Sequence, residues 1–348
     1  MAMIGYDGYD HYASVVDAQQ RSGSIQYPII LGSIITPGRG GFGQAFSVNS
    51  IGGDFLYSGF SVPVTKITFG FAINFNGLSN SITVTLTDAL TGTRQCSWAL
   101  NSTTGAITFS NATGSVVASA LNAFGPRGWF FIELQNQIGL GSGGSAALRV
   151  NGQPISSFPD ITGVNTQSSA NNSVSAIQFS GDIDGAYLDD MYYCDGTTGP
   201  GTYPCNSFLG DVRDSTQFAV GNGGTIDWTP LANTNWQEIS EVQFDGDASY
   251  NRSNTAGAID LFNPQVLDAD IDQVVCLAVT IAVRLEDAGA RLIAPCVQIG
   301  STVYVGTPQA PDLSYLYFTS YWPINPSTGA SWTTTQVNDC QFGYKIVA

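Results

Sequence analysis

The chain holds one histidine, His11, and only four glutamates, Glu133, Glu238, Glu241 and Glu286, the residue types beside aspartate that most often do general acid–base chemistry. Hydrolytic sites need a base, an activated nucleophile or a carboxylate pair. His11 sits in Tyr6-Asp7-Gly8-Tyr9-Asp10-His11-Tyr12, among aromatic and acidic neighbours, and is expected to be a structural histidine. No GxSxG, HExxH or Walker A pattern occurs. Glu133 lies within an apolar strand pattern and reads as an outward-facing strand residue. The expectation is a protein with no catalytic residue and no enzymatic activity. A carboxylate pair for glycoside cleavage is defined by spatial separation, which residue order alone does not supply.

Three clusters could bind rather than react. Asp182, Asp184, Asp189 and Asp190 fall within nine residues, and Ca²⁺ takes several such oxygens. The run lacks the glutamate of an EF-hand loop, and its alternative role is to accept backbone N–H groups in turns. Calcium is therefore the one candidate cofactor, with Asp245/Asp247 and Asp268/Asp270/Asp272 as weaker sites. Tyr315, Tyr317, Tyr321 and Trp322 crowd with Phe318 into one short segment. That exceeds what one strand face buries, so the surplus rings are expected to meet a partner subunit or, as the second choice, a glycan. Cys194 and Cys205 bracket a Gly/Pro loop and form a candidate disulfide, although a reducing compartment of synthesis opposes it. With no CxxC and one His, a structural zinc site is not expected.

Composition says what must position these groups. Only 11% of the 348 residues are charged, against 43% hydrophobic, with 40 Gly. Strands with uncharged polar outer faces and tight turns produce such a balance; surface helices rich in Lys and Glu do not. Net charge is −16 with no basic cluster, so nucleic acid is not an expected partner. No apolar run approaches the length of a membrane span, and the start lacks a signal-peptide pattern, so cytoplasmic synthesis without membrane insertion is expected.

Strand signals fill the chain. Ser81–Thr87 alternates apolar and polar, and Lys66–Phe75 does so with larger side chains. Asn151-Gly152 predicts a type I′ hairpin turn; Thr91-Gly92, Thr104-Gly105 and Gly300 mark others. Val274–Val283 is apolar on both faces and predicts a central strand. Gln341–Val347 predicts a last strand, and helix is allowed only at about His11–Gln19 and as a turn near Asn263–Asp268. The turn formers between Met191 and Phe208 predict a domain junction. The expected fold is all-β, two β-sandwich domains in tandem (1–195 and 205–348) joined by a loop at 196–204.

Several motifs carry resemblances. The early aromatic strand Ile67–Phe75, then Gly128-Trp129-Phe130-Phe131, the Asn151-Gly152 hairpin and the closing Ala186-Tyr187-Leu188-Asp189-Asp190-Met191-Tyr192 follow an order that resembles concanavalin-like, laminin-G-like jelly rolls. That resemblance implies a jelly roll for the first half and a calcium ion at a loop edge. A narrower one joins Tyr6–Tyr12, Pro37–Ala45, Asp189–Tyr192, Phe208–Arg213, Asp227-Trp228-Thr229-Pro230, Asn235-Trp236 and Ala330–Thr333. In that order they resemble a family of tailed-phage virion proteins; Cys194 and Cys205 depart from it. The family implies a structural subunit of tail, tail fibre or adhesion apparatus, held to other virion proteins and to copies of itself and located in the virion. The alternatives are a capsid decoration protein, or a carbohydrate-binding receptor module or glycan depolymerase acting on host surface glycan.

Overall fold

A computed structural model describes residues 3–22, 25–41, 43–50, 53–77, 81–181, 183–196, 207–287 and 289–348. The alternation in Ser81–Asp88 turns Ile82, Val84 and Leu86 inward, and the strands beside it do the same. Two sheets result. One runs in the order Gln153–Pro154, Gly144–Val150, Phe130–Gln137, Lys66–Asn74, Ile183–Cys194, Ala45–Ser50, Gly32–Ile35, with Met3–Asp7 and Ile161–Val164 attached. The other runs Val116–Ala120, Ala106–Ser110, Thr93–Asn101, Ser81–Asp88, Val174–Gly181, Asp54–Val64, Ile25–Ile30. Their facing sides make one core that includes Phe69, Phe71, Trp98, Phe109, Phe179 and Tyr193. Trp98 keeps its polar edge satisfied, donating to Asn136 Oδ1 at 2.9 Å.

The predicted turns form. Asn151 and Gly152 have φ of 51° and 71° and join Val150 to Gln153; Gly92, Gly105 and Gly300 also adopt positive φ. Ser14 caps a short helix, Val15–Gln19, inside the span that allowed one. A second short helix, Thr334–Asn338, starts at a Thr333/Gln336 capping box that the sequence reading passed over. Residues expected to turn near Asn263 instead extend a strand, Ile259–Pro264.

The second half is a β structure around a five-stranded sheet, in the order Ala219–Ile226, Ile259–Pro264, Gln341–Ile346, Ile293–Ile299, Thr302–Val305. Beside it lies a three-stranded sheet in which Leu316–Trp322 is central. One neighbour is Leu277–Val283; the other is Arg21–Ser22 from the first half, paired in parallel. The expected central strand at 274–283 is thus shorter and lies at an edge, pairing only with Leu316–Trp322 among the described residues. Its double-sided apolarity has another cause. Leu277, Val279 and Ile281 face the C-terminal core, while Val275 and Cys276 pack with Met3 and Cys194 of the first half.

Candidate functional site

The strand Lys66–Asn74 is buried along nearly its whole length, on both faces. Its outer face carries Thr68, Gly70 and Ala72, small enough for the rings of Tyr192 and Phe131 to lie across it. The segment Phe208–Val212 covers those rings. Leu209 N–H donates to the Tyr192 hydroxyl at 3.4 Å, and Gly210 N–H donates to Glu133 Oε1 at 2.8 Å. Tyr192 donates to the same Oε1 at 2.6 Å, while Glu133 Oε2 has no hydrogen-bond partner among the described residues. Glu133 does point away from the sandwich core, as expected, but it is wholly buried, and burial raises its pKa.

Arg39 ties this cover to the sandwich. Its backbone N–H donates to Asp189 Oδ2 at 2.8 Å, and Nη1 donates to Asp190 Oδ2 and to the Val212 carbonyl at 3.0 and 3.1 Å. Nη2 pairs with Asp211, and the guanidinium sits 5.2 Å from the Phe131 ring centroid. Two adjacent aspartates serve one arginine because the strand Ile183–Cys194 bulges here: the register shifts between Asp189 and Tyr192, and Asp190 takes a φ of 51°. Asp190 Oδ1 then accepts Asp214 N–H at 2.8 Å, and Asp214 Oδ2 accepts Gly8 N–H at 3.1 Å. Asp10 Oδ1 accepts Gln44 N–H at 2.5 Å.

Four carboxyl groups thus crowd one partly dry place. Burial pushes Asp10 up to about 6. Burial and then the charge of Asp190 push Asp189 up to about 9. Asp190 is raised by burial despite its bonds from Asp214 and Arg39, and Asp214 is raised well above the carboxylate range by burial and by Asp10. Next to them, Arg21 forms a buried ion pair with Asp7 and bonds to Tyr321 of the second half. His11 packs on Tyr12 and Tyr317, and burial lowers it to about 4.

The carboxyl group cluster forms part of the wall of a cleft of about 2430 Å³ between the two halves. The opposite wall includes Trp228, Tyr250 and Tyr315. Asp260 fixes that wall from beneath: wholly buried, it accepts the N–H groups of Asp227 and Trp228 at 2.8 and 2.9 Å and the Asn235 side-chain amide at 2.8 Å. The Asp227–Pro230 and Asn235-Trp236 motifs therefore wrap one buried carboxylate. Trp228 stands edge-on to Tyr344 at 4.7 Å between centroids.

The residues singled out in the sequence are dispersed. Asp189 and Asp190 face Arg39, whereas Asp182 and the Asp184 side chain lie outside the described residues. Among the described residues no group of three or more His, Cys, Asp or Glu is arranged to hold a metal ion. Asp247 accepts Arg284 and the Tyr315 hydroxyl, and Asp268, Asp270 and Asp272 are exposed. Cys205 lies outside the described residues; Cys194 is buried with its sulfur 3.9 Å from that of Met3. The aromatic segment is divided by strand alternation. Tyr317 (2% exposed) packs on Tyr12 of the first half and on Phe244 of the second, and Tyr321 meets Tyr6 of the first half. Trp322 (9% exposed) joins Trp332 in the C-terminal core. The surplus rings are thus largely covered by the chain's own two halves; Tyr315 and Tyr317 border the cleft, and Tyr315 keeps part of its surface exposed. Asp10, Arg39 and Asp214 were not singled out as site residues. The signal for Arg39 was a lone arginine in the glycine-rich run Gly38–Gly41.

No family model matches the chain, and no curated protein matches it. Solved structures share the sandwich. Alginate lyase vAL-1 from Chlorella virus is similar over 47% of this chain and 88% of its own, at 10% identity and a TM-score of 0.32. The endo-β-1,4-glucuronan lyase of the fungus Trichoderma reesei is similar over 55% and 94%, at 11% identity and TM-score 0.33. The carbohydrate-binding module CBM66 of Bacillus subtilis is similar over 48% and 91%, at 10% identity and TM-score 0.30. These neighbours are jelly-roll folds of carbohydrate-binding and carbohydrate-cleaving proteins, and none of the three is a phage particle protein. The expectation of a protein without enzymatic activity does not stand beside them, since two of the three are polysaccharide lyases.

Proposed function

We propose that the protein engages a polysaccharide in the cleft between its two halves, as part of the adhesion apparatus of a tailed-phage particle. The cleft carries the first part of this reading. At about 2430 Å³ it exceeds the few hundred to roughly 1,000 Å³ of a small-molecule pocket. Its walls combine aromatic rings, which cover the apolar faces of sugar rings, with carboxyl and amide groups that fix hydroxyls. The place in a particle, among other virion proteins and copies of this chain, is supported by the ordered sequence resemblance.

The test is electrophoresis of the purified protein through gels containing host surface polysaccharides, with the same mixtures assayed for newly released chain ends. Retardation by at least one polysaccharide is expected, and Tyr250→Ala should weaken it by about tenfold, the usual cost of losing a central aromatic contact. Migration unchanged by every polysaccharide from a host range that the particle infects would overturn the reading. Gold-labelled antibody on intact particles tests the location, with label expected at the tail rather than over the capsid.

A further inference from the structure

We propose that the glycan taken by this cleft is a neutral, hydroxyl-rich chain, and that the cleft rejects polyuronates and other anionic polysaccharides. This rests on the glycan reading above and narrows it. Fourteen aspartate and glutamate side chains line the cleft, beside five arginines and no lysine. Two of the arginines are already committed: Arg39 to Asp190 and Asp211, and Arg284 to Asp247. Asp7, Asp190 and Asp211 are paired with arginines, and Asp189 and Asp214 are held toward their protonated forms. Asp268, Asp270, Asp272 and Glu286, however, are exposed and pair with no arginine or lysine among the described residues. A polyanion would meet these free charges in a concave place where the surrounding protein focuses their field.

The opposite case, a glycan bearing one carboxylate per sugar, needs arginine forks or lysines spaced along its path. The whole chain holds only two lysines, Lys66 and Lys345, and neither lines the cleft. Neutral sugars ask for something else. Each hydroxyl both donates and accepts, and a wall of carboxyl, amide and hydroxyl groups answers both. Asp214, raised well above the carboxylate range by burial, adds a donor as well as an acceptor to that wall.

A matched pair of ligands tests the idea. A uronate-containing polysaccharide is compared with the same polymer after chemical reduction of its carboxylates to alcohols, and neutral host glycans are run alongside. The reduced polymer is expected to bind at least tenfold more tightly than its parent at low salt, and the gap should narrow as salt screens the walls. The triple variant Asp268→Asn, Asp270→Asn, Asp272→Asn, at exposed positions, should narrow it further without loss of fold. A parent polymer that binds as tightly as its reduced form would overturn this proposal and leave the glycan reading standing. Failure of every polymer, neutral or charged, to bind would overturn both.

Discussion

Arg39 and the aspartates around it make a bond network in which no member is easily removed. Asp190 is almost wholly buried beneath the guanidinium, so Arg39→Ala leaves a carboxylate without its partner. Loss of about 3 kcal/mol is expected in chemical denaturation. Asp190→Asn in the same background should recover part of it, because the stranded charge is then gone. The cluster also predicts a pH dependence of inverted sign. An unfolded aspartate titrates near 3.8, but Asp10 holds its proton to about 6 and Asp189 to about 9 when folded. The folded chain binds more protons over those ranges. The cluster's contribution to stability is therefore complete below about 4 and declines as pH rises, through 6 for Asp10 and on toward 9 for Asp189. Asp10→Asn keeps the oxygen that accepts Gln44 N–H and should flatten the lower step in denaturation midpoints followed across pH.

At the scale of elements, Lys66–Asn74 is held by what its outer face lacks. A Cβ at Gly70 would meet the Tyr192 ring and come 2.8 Å from Phe131 Cε1. Gly70→Ala should cost about 1–3 kcal/mol by overpacking and lower the melting temperature accordingly. Thr333→Ala removes a capping box and should cost about 1 kcal/mol, read the same way. This strand also shows where residue order stops informing. Alternation in Ser81–Thr87 and the Asn151-Gly152 turn were legible because they depend on neighbours one to four residues away. The cover over Thr68, Gly70 and Ala72 was not, because it comes from Phe208–Val212, far along the chain. The edge position of Leu277–Val283 was hidden for a similar reason. Apolar residues on both faces report burial on both sides, whether the cover is a pair of sheet faces or two separate bodies. The acidic site was scattered over Asp10, Asp189, Asp190 and Asp214, and only the bulge at Asp190 gathers it.

For the whole molecule, the strand Leu316–Trp322 is one tie between the halves beside the Phe208–Asp214 cover, with Tyr317 and Tyr321 on one side and Phe318 and Trp322 on the other. Tyr321→Ala removes the second-half partner of Arg21, which keeps Asp7, and the ring against Tyr6. Faster amide exchange is expected in Arg21–Ser22 and Leu316–Trp322, with the sandwich core unchanged. Equal exchange in variant and parent would mean that the contacts of Phe208–Asp214 alone keep the halves together. The tie also bears on how the molecule is made. Arg21 and Tyr321 are 300 residues apart. At ribosomal speeds of about 5–20 residues per second, the opening hook is exposed for roughly 15–60 s before its partner emerges. Through that interval the nascent sandwich carries Tyr6, Tyr12 and the Arg21–Ser22 edge without their final cover, so its completion waits on a segment made 300 residues later.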